Sequence, residues 1–215
     1  MIQSLPDMIP ECYERSLQLL RKNLTPDGII ACAKSQKAVD RHYASIFGRD
    51  AAICSLGMVV TRDRELIAHA KAGLFFLAQH QAPNGQIPKY VKPDNKEVDF
   101  WYSGCIDATL WWLIAVNVYD RFFPDAGVSA TLRVPIDRAI HWLYCQEHQG
   151  LFLLQQNEAS DWADIMPRSG FVLYSHALWY QPKRLYNLPA AGQTKRFFKT
   201  IFFPFDKAIS EHRRA

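Results

Sequence analysis

The sequence lacks the short motifs that identify several common enzyme classes. It contains no Gly-rich phosphate-binding loop, no G-x-S-x-G nucleophile elbow and no H-E-x-x-H zinc motif. Its seven histidines show no spacing typical of metal ligands. His141 and Cys145 lie one helical turn apart, but two ligands without a third indicate a structural pair rather than a metal centre. We therefore expect neither a metal ion nor another cofactor.

Signals for export and for membrane insertion are also missing. The five cysteines are odd in number, scattered and never spaced as C-x-x-C, which favours reduced thiols in a cytoplasm. Asp7, Glu11 and Glu14 lie where a signal peptide would carry basic and apolar segments. No apolar run approaches the roughly 18 residues that span a bilayer. These absences predict a cytoplasmic location and no membrane partner.

Apolar periodicity predicts helices along most of the chain. With 215 residues, 49% of them hydrophobic, the chain can form one well-buried domain. Helical spacing recurs in five segments. These are 8–22, about 49–60, the segment from the expected cap Asp63 to the turn at 83–85, 100–123 and 131–146. A further helix is expected to begin near Gly170. The pattern predicts six or seven helices joined by short loops and no long alternating strand.

Basic and aromatic residues are concentrated near the end of the sequence. Residues 183–215 hold eight Lys or Arg against Asp206 and Glu211, a net charge of +6. Since the whole chain has a net charge of +4, residues 1–182 have a net charge of −2. The basic residues alternate with phenylalanines between Phe197 and Phe205, which favours a packed amphipathic helix over a nucleic-acid patch. We therefore divide the chain into a helical domain at 1–190 and a basic, aromatic tail at 191–215, and expect no nucleic-acid partner.

The segment from Ser160 to Tyr180 places two carboxylates beside an indole. Asp161 and Asp164 flank Trp162, and Arg168 follows just before an aromatic run. Burial of a carboxylate against an indole removes water from it and favours the protonated form, as a general acid requires. Capping of the helix that begins near Gly170 is the alternative role for either aspartate.

Two further acidic positions occur at predicted helix starts. Arg49 and Asp50 are adjacent, so a forked donor and an acceptor could together hold neighbouring hydroxyls of one sugar. The alternative is simple electrostatics, since an aspartate suits the positive end of the helix dipole. Asp107 lies in the strongly apolar helix predicted over 100–123, where an unpaired buried carboxylate is costly and must reach a partner, water or a ligand. Its alternative role is a helix cap.

Several of these motifs together resemble the amylo-alpha-1,6-glucosidase family of glycogen-debranching enzymes and its relatives among the six-hairpin glycosidases. The matching elements are G-R-D at 48–50, G-x-I-P at 85–88, D-A-x-L-W at 107–111, W-x-D at 162–164, P-R-x-G at 167–170 and A-L-W-Y at 177–180. Where the debranching enzymes tend to carry a glutamate shortly before A-L-W-Y, this chain has Tyr174.

The resemblance implies a fold and a set of site residues. It implies an all-α fold of (α/α) helical hairpins, of the six-hairpin (α/α)6 toroid type, with this chain covering the first half of the barrel. It implies that Asp164 is the general acid. The residues expected to bind substrate are Arg49, Asp50, Trp101, Asp107, Trp111, Asp161, Trp162 and Arg168. An inverting glycosidase also needs a carboxylate base, and after Asp164 the sequence offers only Asp206 and Glu211.

These expectations leave two functions open. The first is a glycoside hydrolase-like domain that acts on or binds the ends of α-glucosidic oligosaccharides by inverting chemistry. The second is a catalytically silent half-barrel that binds saccharide or a protein. The expected partners are an oligosaccharide and, to complete the barrel, either a second copy of the chain or a complementing downstream polypeptide.

Overall fold

The protein is described by a computed structural model over residues 5–101 and 104–203. Within these residues it is built from α-helices, seven strands of two residues each and one 3-10 turn at Pro124–Ala126. The helices are Leu5–Lys22 (α1), Gln36–Asp40 (α2), Gly48–Val60 (α3), Arg64–Gln79 (α4), Ile106–Phe122 (α5), Val128–Thr131 (α6), Arg133–Cys145 (α7), Leu173–Leu185 (α8) and Ala191–Phe202 (α9). The predicted all-α class is confirmed, with α2 and α6 as short helices that periodicity did not reveal.

Three long helices form the centre of the molecule. Helix α3 packs most extensively on α5, and α5 packs on α8, while α4 lies against α3 and α9 against α8. Helix α5 is buried almost all round, and its Trp112, which is fully enclosed, donates a hydrogen bond from Nε1 to the Leu74 carbonyl at 3.0 Å. Helices α3 and α4 therefore pair as consecutive helices, as do α8 and α9, while α5 packs on both α3 and α8.

The turns between these helices follow local sequence signals. Asp63 caps α4 as predicted, because its Oδ1 accepts hydrogen bonds from the amides of Glu65 (2.9 Å) and Leu66 (3.1 Å). Gly85 has a φ of +102°, and a Cβ there would lie 2.1 Å from the carbonyl oxygen of Arg138. Only glycine fits such a turn and such a close approach.

A small three-stranded antiparallel sheet connects the loops at one end of the central helices. Its strands are Ile46–Phe47 (β3), Tyr90–Val91 (β4) and Val98–Asp99 (β5), with Ile46 opposite Val91 and Tyr90 opposite Asp99. The other strands form two hairpins, Leu24–Thr25 (β1) with Gly28–Ile29 (β2), and Glu147–His148 (β6) with Leu153–Leu154 (β7). Strands of two residues are too short to show an alternating pattern, so the sequence did not predict them.

The start of the predicted tail forms a packed helix. Helix α9 lies on α8, where Phe198 contacts Tyr180 with ring centroids 6.0 Å apart and Phe202 contacts His176 at 5.5 Å. Phe205, Asp206 and Glu211 lie outside the described residues. The division of the chain at residue 190 stays a prediction. None of the helices in the described ranges is long and apolar enough to cross a bilayer.

Candidate saccharide-binding site

The starts of α3, α5 and α8 meet at one end of the molecule. Gly48 begins α3, and a Cβ on it would lie 2.4 Å from the Pro88 carbonyl oxygen and 2.9 Å from the Ala108 Cβ. Glycine therefore allows the start of α3 to approach the loop before β4 and the first turn of α5. The three-stranded sheet adds two more segments, because Lys89 directly precedes β4 and Trp101 closely follows β5. Residues far apart in sequence are thus brought together.

A buried carboxylate, Asp107, ties the three helix starts to each other. Its side chain is fully buried, and its Oδ2 lies 3.2 Å from Arg49 Nη1 on α3. The hydroxyl of Tyr174 on α8 donates to the same oxygen at 3.2 Å and accepts from Trp111 Nε1 at 2.8 Å. The Cys105 thiol donates to Oδ1 at 3.2 Å. Asp107 thus has the partners that its burial requires, and it is not the N-cap of α5, a position held by Cys105.

The ionisation of this cluster reflects burial opposed by charge pairing. Burial raises the pKa of Asp107, and the nearby Arg49 guanidinium and Cys105 thiol oppose that shift. Burial also acts to lower the pKa of Arg49, but Asp107 and Asp50 outweigh it and the pKa of Arg49 is raised. Arg49 therefore stays a cation and is held in position by its ion pair with Asp107.

An open cavity of about 410 Å³ lies above Arg49, and we call it the Arg49 cavity. Asp50 Oδ2 lies 3.2 Å from Arg49 Nη2, yet it accepts no hydrogen bond from the described residues. The lining also contains Trp101 and Trp162, the two indoles of this cavity. The cavity-lining residues that carry charge or an aromatic ring are Arg41, His42, Tyr43, Phe47, Arg49, Asp50, Lys89, Tyr90, Asp99, Trp101, Trp162 and Asp164.

Asp164 lies in this cavity, but in a different environment from the one expected. Its carboxylate is paired with Lys89 Nζ at 3.0 Å and is 39% exposed, and Trp162 is 53% exposed. Lys89 Nζ in turn lies 3.6 Å from the centroid of the Trp101 ring. The expectation that Asp164 is buried against the Trp162 indole is therefore wrong, because a lysine and solvent surround the carboxylate instead.

Asp161 and Arg168 form a buried clamp beside the cavity. Arg168 Nη2 lies 2.8 Å and 2.9 Å from the two carboxylate oxygens of Asp161, which also accept from Gln156 Nε2 and from the Ala163 amide. Burial acts to raise the pKa of Asp161, but these hydrogen bonds outweigh it and the pKa is lowered. The capping alternative for this aspartate pair is wrong, since the N-cap of α8 is Val172 and receives no side-chain hydrogen bond.

The predicted site residues thus fall into two groups. Five of them line the Arg49 cavity: Arg49, Asp50, Trp101, Trp162 and Asp164. The other four, Asp107, Trp111, Asp161 and Arg168, lie behind or beside the lining and hold it in place. Lys89 was missed in the sequence, although it directly follows the G-x-I-P element. Asp206 and Glu211, the carboxylates considered for the base, lie outside the described residues.

The cavity combines groups that suit a neutral ligand rich in hydroxyls. Carboxylates accept hydrogen bonds, whereas the guanidinium and the ammonium donate them. Indole faces offer an apolar platform. The charges of Arg49 and Lys89 are already balanced by Asp107, Asp50 and Asp164, so the cavity does not carry a large excess of either sign.

Comparison with known proteins agrees with this chemistry. A search of curated proteins finds no match. A family model, that of amylo-alpha-1,6-glucosidase, matches residues 18–187, a range that contains every predicted site residue. Since the match covers most of the 215 residues, the chain belongs to the amylo-alpha-1,6-glucosidase family.

Proposed function

We propose that the Arg49 cavity binds the terminal glucosyl unit of an α-glucosidic oligosaccharide. The observation that carries the proposal is the pair formed by Arg49 and Asp50 on the first turn of α3. Arg49 is fixed by Asp107 at 3.2 Å, while the carboxylate of Asp50, paired with Arg49, is 43% exposed. A fixed forked donor beside an exposed carboxylate can hold two adjacent hydroxyls of one sugar ring.

The two indoles support the same ligand. One face of a pyranose ring carries C–H groups, which pack on an aromatic surface. Trp162 is half exposed at the cavity, and Trp101 is held there by a hydrogen bond from its Nε1 to the Ala159 carbonyl at 3.1 Å. A sugar that lies against an indole can keep its hydroxyls directed to Asp50 and Arg49.

In this proposal Asp164 is the general acid of an inverting hydrolysis. It lines the cavity and is open to solvent on one side. A proton on Asp164 would weaken its ion pair with Lys89, so Lys89 must move away, or remain only as a hydrogen-bond partner, when the acid is formed.

The experiment is calorimetric titration with glucose, maltose and isomaltose, together with measurement of hydrolysis. Asp164→Asn keeps the shape of the side chain and cannot donate the proton. We expect it to bind sugar like the natural chain while any hydrolysis falls by about 10²- to 10⁴-fold. Equal hydrolysis by Asp164→Asn would remove this residue from the mechanism.

The Lys89–Asp164 ion pair favours one alternative, a domain that binds saccharide without hydrolysing it. An aspartate whose carboxylate lies 3.0 Å from an ammonium is well placed to accept hydrogen bonds, as a residue that binds saccharide would. Sugar binding by the natural chain, with no release of glucose from maltose or isomaltose, would support this alternative. Lys89→Met would then test whether removal of the cation permits turnover.

A further inference from the structure

A second cavity, of about 240 Å³, lies on the other side of Trp101, and we call it the glutamine pocket. It is formed by the loop before α5, the end of α7 and the loop that follows β7. Its lining contains two tryptophans, Trp101 and Trp142, and Ser160. The side-chain amides in its lining belong to Gln86, Gln146, Gln155, Gln156 and Asn157.

The lining of the glutamine pocket carries no charge. Among the described residues that form it there is no Asp, Glu, Lys, Arg or His. The Arg49 cavity, in contrast, contains Arg49, Asp50, Lys89 and Asp164. A phosphate or a carboxylate would need a cation or free amides at a helix N-terminus, and the Ile106 amide at the start of α5 is already bonded to the Ser160 carbonyl. The chemistry of the glutamine pocket therefore suits a neutral ligand that both donates and accepts hydrogen bonds.

One buried polar atom is left without a partner at this pocket. Ser160 is 3% exposed, and its Oγ makes no hydrogen bond to any described residue. A buried hydroxyl without a partner is destabilising. Its backbone carbonyl, by contrast, accepts from the Ile106 amide at 2.8 Å, so the residue is fixed in position. A ligand hydroxyl in the pocket would satisfy Ser160 Oγ.

The backbone at Trp101 is strained in a way that fixes the indole between the two cavities. Trp101 has a φ of +61°, in the left-handed region that residues with a Cβ seldom adopt. Such a conformation is unfavourable and persists only where surrounding contacts enforce it. Here the Trp101 amide donates to Asp99 Oδ1 at 2.5 Å and the indole donates to the Ala159 carbonyl. The indole consequently forms part of both linings.

We propose that the glutamine pocket is a second saccharide-binding site, which takes one neutral hexose unit. Its volume is below the roughly 300–1,000 Å³ of sites for drug-sized ligands, so it suits a single ring. The ring packs on the Trp142 indole, and its hydroxyls bond to Ser160 Oγ and to the amides of Gln146 and Gln155. Binding in the glutamine pocket does not depend on ligand binding in the Arg49 cavity.

The test follows the indole N–H signals in two-dimensional NMR spectra of the full chain, with each signal assigned through a Trp→Phe variant. Trp142 reports the glutamine pocket and Trp162 reports the Arg49 cavity. Glucose and maltose are added up to about 30 mM, which nearly saturates a site with a dissociation constant near 1 mM. Adenosine, a neutral ligand of another class, is added in a parallel titration.

We expect glucose and maltose to shift the Trp142 signal. Ser160→Ala should weaken that dissociation constant about three- to tenfold, the effect of one neutral hydrogen bond, without lowering the melting temperature. Ser129→Ala is the matched control, since Ser129 Oγ also lacks a partner among the described residues but lies outside this pocket. Gln146→Leu is a second variant, which removes one amide at similar volume.

The outcomes separate this inference from the proposed function. No Trp142 shift with sugar, a shift with adenosine alone, or a sugar affinity unchanged in both Ser160→Ala and Gln146→Leu would overturn the second site. A Trp162 shift that is lost in Asp50→Asn while the Trp142 shift remains supports both sites. A Trp142 shift without a Trp162 shift supports the glutamine pocket and counts against the Arg49 cavity.

Discussion

Arg49 Nη1, on the first turn of α3, lies 3.2 Å from the Oδ2 atom of Asp107, on the first turn of α5. The carboxylate is fully buried, whereas the guanidinium is 22% exposed and reaches the Arg49 cavity. One ion pair therefore links the packing of the two central helices to the surface on which a sugar is proposed to bind. It also explains why a strongly apolar helix begins with an aspartate.

Removal of Arg49 should destabilise the protein at neutral pH. Arg49→Met leaves Asp107 buried without its cation, and loss of one partner of a buried pair costs about 3–5 kcal/mol. Burial already raises the pKa of Asp107, and loss of Arg49 raises it further. When folding raises the pKa of a carboxyl group, the folded state is stabilised at pH values below the unfolded pKa of 3.8. This stabilisation is lost as the pH rises through the folded pKa. The free energy of unfolding, measured in urea, should thus be lower for Arg49→Met than for the natural chain. The difference should be larger at pH 7 than at pH 4.

The double variant Arg49→Met with Asp107→Asn provides the control for this effect. Without the buried charge, most of the lost stability at pH 7 should return, and the dependence on pH should flatten. An Arg49→Met variant as stable as the natural chain at pH 7 would show that the pair does not join the two helices.

Tyr174 should stabilise the same cluster through its hydroxyl. Tyr174→Phe removes the donor to Asp107 and the acceptor for Trp111 Nε1, and should lower the free energy of unfolding by about 1–3 kcal/mol. Tyr174→Glu, which places the glutamate of the related debranching enzymes beside Asp107, should cost more at pH 7 because two carboxylates would then share one buried site. Tyr13→Phe, on the exposed face of α1, should change little. Equal stability of the natural chain and Tyr174→Phe would contradict the role of the hydroxyl.

Local signals in the sequence predicted much of this arrangement. The apolar periodicity predicted the long helices, Asp63 was recognised as a cap, and Asp107 was expected to need a partner. The recurrence of polar residues at helix starts also predicted where the cavity lies, since parallel central helices bring those starts together. These features depend on residues close in sequence or on a repeated pattern.

Pairings set by tertiary packing were not predicted. Lys183 was counted with the excess of basic residues over 183–215, yet it is fully buried, donates to Thr194 Oγ1 at 3.0 Å and is ion-paired with Glu147. Likewise, nothing in the sequence indicated that Asp164 pairs with Lys89. Which charged residues become ion-pair partners depends on how α8 packs against its neighbours. The spacing of residues in the sequence does not show this packing.

His176 on α8 should make the protein less stable in mild acid. Its ring is fully buried between Phe171 and Phe202, and neither nitrogen has a partner among the described residues. Burial lowers the pKa of His176 from 6.5 to about 4. Between these values the unfolded chain binds a proton that the folded protein does not, so stability falls as pH decreases.

The matching measurement is urea unfolding at pH 7 and at pH 5. His176 should account for about 2 kcal/mol of the stability lost between these two conditions, and His176→Leu should remove that part. His141→Leu, at an exposed histidine of α7, is the control for the exchange of a histidine for leucine. The same loss in His176→Leu as in the natural chain would contradict the account of this residue.

The most direct test of the central claim is calorimetric titration of maltose into the natural chain and into Asp50→Asn, with Asp137→Asn on the exposed face of α7 as the matched control. Hydrogen bonds to a charged group contribute about 1.5–3 kcal/mol, so Asp50→Asn should weaken binding roughly ten- to a hundredfold while Asp137→Asn binds as the natural chain does. Equal affinity for maltose in all three proteins, or no binding by the natural chain, would contradict the assignment of the Arg49 cavity as the site for the terminal sugar.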